Sequence, residues 1–177
     1  MQLVLAWKEG ISRYQSRFKD IAFEMPERCP HCGCVKFHKW GKYARYVIEE
    51  TADPLIYIQR IRCVKCCRTC SYLPSFCLSG MCYGVDYVMA LLNALLFRLR
   101  YSFCDTIRRR AYALLRRFVR SENLWLVFLR TRGFGAFPED RKKRAMKIFT
   151  ALLKIHQDEN LMSSFLGATG RHFMSAK

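Results

Sequence analysis

The chain has 177 residues, 51% of them hydrophobic, and sets 31 Lys and Arg against 14 Asp and Glu for a formal net charge of +17. Half-apolar content at this length excludes a disordered chain and suits one compact domain or two small ones. The positive excess exceeds what solubility needs and suits a polyanionic partner, nucleic acid before a membrane surface.

Met1 to Arg28 opens with Leu3, Val4, Leu5 and Trp7, which can begin a strand, and Ile11, Tyr14, Gln15 and Phe18 follow at helical spacing. This N-terminal extension, residues 1–28, is expected to pack on what comes next, with Pro26 at the boundary. It carries no basic segment followed by a sustained apolar run and a small-residue cleavage site, so a secretory leader is not expected. The ten cysteines are therefore expected to be reduced and metal-bound in the cytoplasm rather than paired as disulfides.

Residues 29–77 carry the clearest chemistry. Cys29-Pro30-His31-Cys32-Gly33 is answered by Cys63-Val64-Lys65-Cys66-Cys67. Two Cys-x-x-Cys pairs can each form a tight knuckle whose thiolates converge on one tetrahedral Zn²⁺, a closed and hence structural site. Gly33, directly after the second sulfur, suits a knuckle position that needs positive φ. Cys34, Cys67 and Cys70 offer other ligand sets, and Cys67 stands where a second knuckle glycine would be expected. His31 and His38 lie nearby, but four cysteines already complete the tetrahedron.

Between the pairs, Val35 to Ile48 and Leu55 to Arg62 are rich in Val, Ile, Tyr and Phe, and Thr51-Ala52-Asp53-Pro54 supplies a turn, which predicts a β-hairpin. Alternation puts Leu55, Tyr57, Gln59 and Ile61 on one face of the second arm and Ile56, Ile58, Arg60 and Arg62 on the other. Metal knuckles joined by a hairpin make a zinc ribbon, whose small sheet draws much of its folding free energy from the metal. Trp40, Tyr43 and Tyr46 alternate with Lys39, Lys42 and Arg45, a pattern that serves either stacking on bases or ordinary hairpin packing with a solvated basic edge.

The segments Cys29-Pro30-His31-Cys32-Gly33, Gly41-Lys42-Tyr43, Gln59 to Thr69 and Leu73-Pro74-Ser75-Phe76 resemble the zinc ribbon of bacterial insertion-sequence proteins. The likeness is close over residues 29–77, looser over the next forty, and departs from the pattern at Cys67 and Cys70. In that group the ribbon opens transposases and short proteins related to them, and a helix-turn-helix follows. The resemblance therefore implies a DNA-binding part of a mobile element.

Residues 78–132 change character from β to helical. Val85 to Leu99 is apolar almost all round, which suits burial between neighbours or in a homodimer or transposase interface. Its apolar run is too short for a membrane span. With Ser102 or Asp105 as N-cap, Thr106 to Arg120 places Ile107, Ala111, Leu114, Leu115 and Phe118 on one side and Arg109, Arg110, Arg116, Arg117 and Arg120 on the other. A helix docked by that apolar side aims its guanidinium forks at phosphates or guanine edges, although a solvated charged face is the ordinary alternative. Asn123 to Leu129 is a short apolar run that periodicity leaves as helix or strand.

In residues 133–177, Gly133-Phe134-Gly135-Ala136-Phe137-Pro138 reads as a hinge. A final helix, Glu139 to Gln157, carries the stripe Ala145, Ile148, Phe149, Leu152 and Ile155, beside which His156 reads as a packing residue. Gly167 to His172 reads as a basic tail.

The sequence thus predicts an α+β chain: an N-terminal zinc ribbon, a β-hairpin with two Cys-x-x-Cys knuckles, followed by an all-α, helix-turn-helix-like region. The expected structural Zn²⁺ is held by Cys29, Cys32, Cys63 and Cys66. The expected DNA contacts are Arg109, Arg110, Arg116, Arg117 and Arg120, with a second surface from Lys39, Lys42, Arg45, Arg60 and Arg62. The carboxylates Glu49, Glu50, Asp53, Asp86, Asp105 and Glu122 fall in turns, on the hairpin or near helix ends, and no Gly-rich phosphate loop or nucleophile elbow occurs, so an enzyme is not expected. RNA binding and a protein-interaction module remain alternatives.

Overall fold

The computed structural model describes residues 2–97, 104–171 and Met174. Its chain order is β1 (Gln2–Leu5), α1 (Gly10–Arg17) with a 3₁₀ turn at Phe18–Asp20, β2 (Phe37–Tyr46), β3 (Leu55–Cys63) and β4 (Thr69–Pro74). Five more helices follow: α2 (Val85–Leu96), α3 (Asp105–Arg120), α4 (Glu122–Thr131), α5 (Arg141–Asp158) and α6 (Leu161–Thr169). The protein is thus mixed α and β, one four-stranded sheet with six α-helices among the described residues.

The strands run in the order β1-β4-β3-β2. β2 and β3 pair antiparallel from Phe37↔Cys63 to Tyr46↔Leu55, with a bulge between Lys39 and Lys42 that contains Gly41 at φ +80°. A bulge needs one residue in an unusual conformation, and glycine takes it without steric cost. β4 pairs antiparallel with β3 only across Arg60–Arg62, then runs on beside β1 in parallel, from Gln2↔Ser71 to Leu5↔Pro74. Where β4 leaves β3, α1 takes over: the Tyr14 hydroxyl and the Gln15 amide donate to the carbonyls of Tyr57 and Leu55, each at 2.9 Å.

The alternation expected along β3 holds, and the two faces are buried at opposite ends of the strand. Ile56 and Ile58 join Tyr14, Phe18, Val47, Leu73 and Cys77 in one cluster. Ile61, on the other face, packs with Cys70 and Tyr72 beside partly buried Leu3, Phe23 and Phe37. The sheet therefore leaves two patches of its surface uncovered, one on each face.

Helices α2 to α6 share one apolar core that runs from Leu78 through Phe118, Trp125, Phe128 and Phe149 to Phe165 and Met174. Trp125 stacks on Phe118 at 5.7 Å between ring centroids and donates its indole N–H to the Phe118 carbonyl at 2.8 Å. The run left open at Asn123 to Leu129 is helical, within α4. α5 begins at Arg141 rather than Glu139, because the Asp140 side chain caps it by accepting from the Lys143 N–H at 2.8 Å. A further helix, α6, takes in Gly167 to Thr169 of the expected basic tail: it buries Leu161, Met162 and Phe165, opens on an Asn160 cap and closes on Gly170 at φ +64°, and His172 lies outside the described residues. α2 ends at Leu96 within the expected Val85 to Leu99, and Arg98, Leu99, Arg100 and Ser102 lie outside the described residues.

The sheet and the helical core meet around the N-terminus of α2. The Ile48 N–H donates to the Cys82 carbonyl at 2.6 Å, and the Gly84 N–H donates to the Ile48 carbonyl at 3.0 Å. Glu49 lies so close to Gly84 that a Cβ there would overlap its carboxylate. Asp86 also hydrogen-bonds His156 of α5 at 2.6 Å, so the residue expected to pack makes a polar contact as well.

Candidate metal centre and basic surfaces

The two Cys-x-x-Cys loops fold alike. In the first, Gly33 donates its N–H to the Cys29 carbonyl and Cys29 donates to the Cys34 carbonyl, both at 2.8 Å. In the second, Cys67 donates to the Cys63 carbonyl at 3.1 Å and Cys63 donates to the Arg68 carbonyl at 3.0 Å. The Val64 N–H donates to the Lys36 carbonyl at 3.1 Å and links the second loop to the chain leaving the first. Opposed in this way, the loops bring the sulfurs of Cys29, Cys32, Cys63 and Cys66 all within 4.8 Å of one another.

Cys29 and Cys66 Sγ are 3.7 Å apart, and Cys32 and Cys63 Sγ are 3.6 Å apart. Four thiolates about 2.3 Å from a tetrahedral ion would be separated by about 3.8 Å, so the spacing fits a metal. The electrostatics fit as well. Backbone N–H groups, that of His31 first, bring the Cys29 thiol down to about 7. Although the Cys34 N–H favours its thiolate, burial and the thiols of Cys63, Cys66 and Cys29 push Cys32 up to about 12. Four thiolates so crowded repel one another unless a cation sits among them.

The remaining candidates stand apart. Cys34 Sγ accepts from the Lys36 N–H at 3.4 Å, Cys67 is exposed, and Cys70 is buried beside Ile61 and Tyr72. His31 contacts the Arg68 guanidinium at 2.8 Å across the two loops, and His38 is exposed on β2.

The arginines of α3 fall into two groups. Arg109, Arg116 and Arg120 are exposed, and Tyr112, 50% exposed, lies between Arg109 and Arg116 at helical spacing. Arg110, also exposed, and Arg117, half-buried, flank the buried stripe of Ala111, Leu114 and Phe118, and the Nε of Arg117 is buried with no hydrogen-bond partner. Arg108 is held by Asp105 at 3.6 Å. Tyr112 is missed by a reading that separates apolar from charged positions, because it belongs to neither stripe.

On the sheet, Lys39 is exposed and Lys42 lies 4.4 Å over the Tyr57 ring. Arg62 lies 4.3 Å over Trp40, and Arg60 lies 5.6 Å over Tyr43. Arg45 does not join this surface. It donates to the carbonyls of Leu78, at 2.8 Å, and Met81, tying β2 to the loop before α2.

Fold and site together define a mixed α and β protein with a four-cysteine centre able to hold a metal ion. Compared with known proteins, the chain matches no family model, no curated protein and no solved structure. No helix among the described residues is long and apolar enough to cross a membrane.

Proposed function

We propose that this is a zinc-dependent DNA-binding protein of a mobile genetic element, acting as an accessory, regulatory or target-recognition component or as the DNA-binding part of a transposase without its catalytic domain. The sheet with its two cysteine loops is taken as a zinc ribbon, since four thiolates in a closed tetrahedron favour a soft, borderline ion and Zn²⁺ is the common occupant. Cys29, Cys32, Cys63 and Cys66 would hold it, and its chemistry would be structural. The helix-turn-helix reading of α2 and α3 turns on a connection, residues 98–103, outside the described residues.

The observation that carries the DNA reading is the outer face of α3. Arg109, Arg116 and Arg120 have no acidic partner among the described residues, surround an exposed Tyr112, and belong to a chain of net charge +17. A non-enzymatic role is supported by the engagement of the carboxylates within the fold: Asp86 pairs with His156, Asp105 with Arg108 and Glu122 with Arg144. The mobile-element context rests on the sequence resemblance over residues 29–77.

Duplex binding across a salt series tests the reading, using wild type and the Arg109→Ala, Arg116→Ala double variant. Loss of two phosphate contacts should weaken all sequences alike and lower the log-log salt slope by about two. Loss of a base contact should instead flatten preference at one position by about 1 to 3 kcal/mol. Unchanged affinity and slope in a folded double variant would remove α3 from the interface, and tighter binding of structured RNA than of duplex would replace DNA by RNA.

A further inference from the structure

The uncovered surface on the Arg62 side of the sheet is arranged differently from α3. Strand pairing puts Arg62 beside Thr69 and Arg60 beside Ser71, and in a sheet such paired residues share a face. The guanidinium of Arg62 lies 4.3 Å over Trp40 and that of Arg60 lies 5.6 Å over Tyr43. Aromatic rings and guanidinium groups therefore line one face of β2 and β3, and beside Arg60 and Arg62 the neighbouring β4 strand places the small side chains of Thr69 and Ser71. Trp40 stays 45% exposed. Neither Arg60 nor Arg62 has an ion-pair partner among the described residues.

Arg62 is also fixed in place. Its Nε–H donates to the Cys67 carbonyl at 3.0 Å, in the second cysteine loop, and this leaves the terminal guanidinium nitrogens free over the indole. A side chain ordered before binding loses less entropy when a ligand arrives. Flat rings and stacked guanidinium groups on an open sheet suit the faces of unpaired bases, which a paired duplex keeps inside its stack, and the cations suit the backbone of the same strand.

We propose that the face bearing Trp40, Tyr43, Arg60 and Arg62 binds an unpaired stretch of DNA, beside a duplex held by α3. This rests on the DNA-binding reading of the preceding section and adds the form of the substrate: a junction between duplex and single strand. The Trp40 ring stacks on a base, Arg62 and Arg60 neutralise the neighbouring phosphates, and the Cys67 carbonyl makes the arrangement depend on the metal centre.

The test uses the full zinc-loaded chain and three fluorescent probes: a blunt 20-base-pair duplex, the same duplex with a twelve-nucleotide oligo-dT tail, and the oligo-dT strand alone. Wild type should bind the tailed duplex more tightly than the blunt one. Trp40→Ala should weaken oligo-dT binding on the order of tenfold while blunt-duplex affinity holds within about twofold, and Trp40→Phe should restore most of the loss. Arg109→Ala with Arg116→Ala should do the reverse. Metal content and melting temperature of each variant exclude misfolding as the cause. Wild type that binds duplex but neither the tail nor the free strand would overturn this inference and leave the DNA reading standing. Wild type that binds no DNA would overturn both. Equal loss on every probe for Trp40→Ala, or tighter binding of oligo-U than of oligo-dT, would also overturn it.

Discussion

Gly33 and Cys67 hold the same place in the two cysteine loops. Each follows the second thiol of its pair and donates its N–H to the carbonyl four residues back, and their φ angles are +70° and +57°. The loop geometry demands a left-handed residue there. Glycine adopts that conformation freely, whereas a cysteine side chain crowds its own carbonyl at a cost of roughly 1 to 2 kcal/mol.

Two substitutions should therefore move in opposite directions. Cys67→Gly should stabilise the metal-loaded protein by roughly 1 kcal/mol, less whatever freedom glycine returns to the unfolded chain, and Gly33→Ala should destabilise it by a similar amount. Thermal melts at fixed zinc measure both. Loss of bound metal in Cys67→Gly would mean that Cys67 is a ligand, against the sulfur positions found here.

Among the basic residues of the sheet, Arg45 has a structural role. Its guanidinium is committed to the carbonyls of Leu78 and Met81, so Arg45→Ala should cost about 1 to 3 kcal/mol of stability through those lost charge-assisted bonds. Oligonucleotide affinity at a temperature where the variant stays folded should be unchanged. A fall in affinity without a fall in melting temperature would return Arg45 to the binding surface.

Burial, with the Asp86 charge adding to it, pushes the Glu49 carboxyl up from 4.5 to about 7. The folded chain then holds a proton that the unfolded chain releases, so this group's contribution is full below about 4.5 and is lost as pH rises to about 7. Asp86 acts at lower pH and in the other direction. The His156 hydrogen bond lowers it, so its contribution is present above the ordinary carboxylate range and is lost as pH falls. Glu49→Gln should flatten the stability profile between pH 5 and 7 and raise stability at pH 8 by on the order of 1 kcal/mol, a figure already discounted for solvent screening. Chemical denaturation at several pH values checks this, and a variant profile parallel to wild type would refute the assignment.

Much of the site was legible because its determinants are local. Two Cys-x-x-Cys pairs bounding a Val, Ile and Tyr-rich hairpin specify where four sulfurs can meet, and alternation along Leu55 to Arg62 specifies the faces of β3. Non-local features were not. The parallel pairing of Gln2–Leu5 with Ser71–Pro74 joins segments far apart in sequence, and no short-range pattern encodes it. Arg45 looks like its basic neighbours until the loop carrying Leu78 and Met81 closes over it. α6 is short and its Gly167 weakened the helical pattern, although Asn160 offered a cap. Cys67 shows the converse, since the loop imposes a conformation that the residue itself disfavours.

DNA binding that depends on the metal is tested most directly by measuring duplex affinity on one sample at fixed salt: zinc-loaded, after chelation, and after zinc is restored. Metal content is followed by elemental analysis at each stage. Because binding energy in such a centre is also folding energy, chelation should remove about one zinc per chain and abolish specific binding, and added zinc should restore both. Duplex affinity that persists unchanged in a sample shown to be free of metal would contradict it.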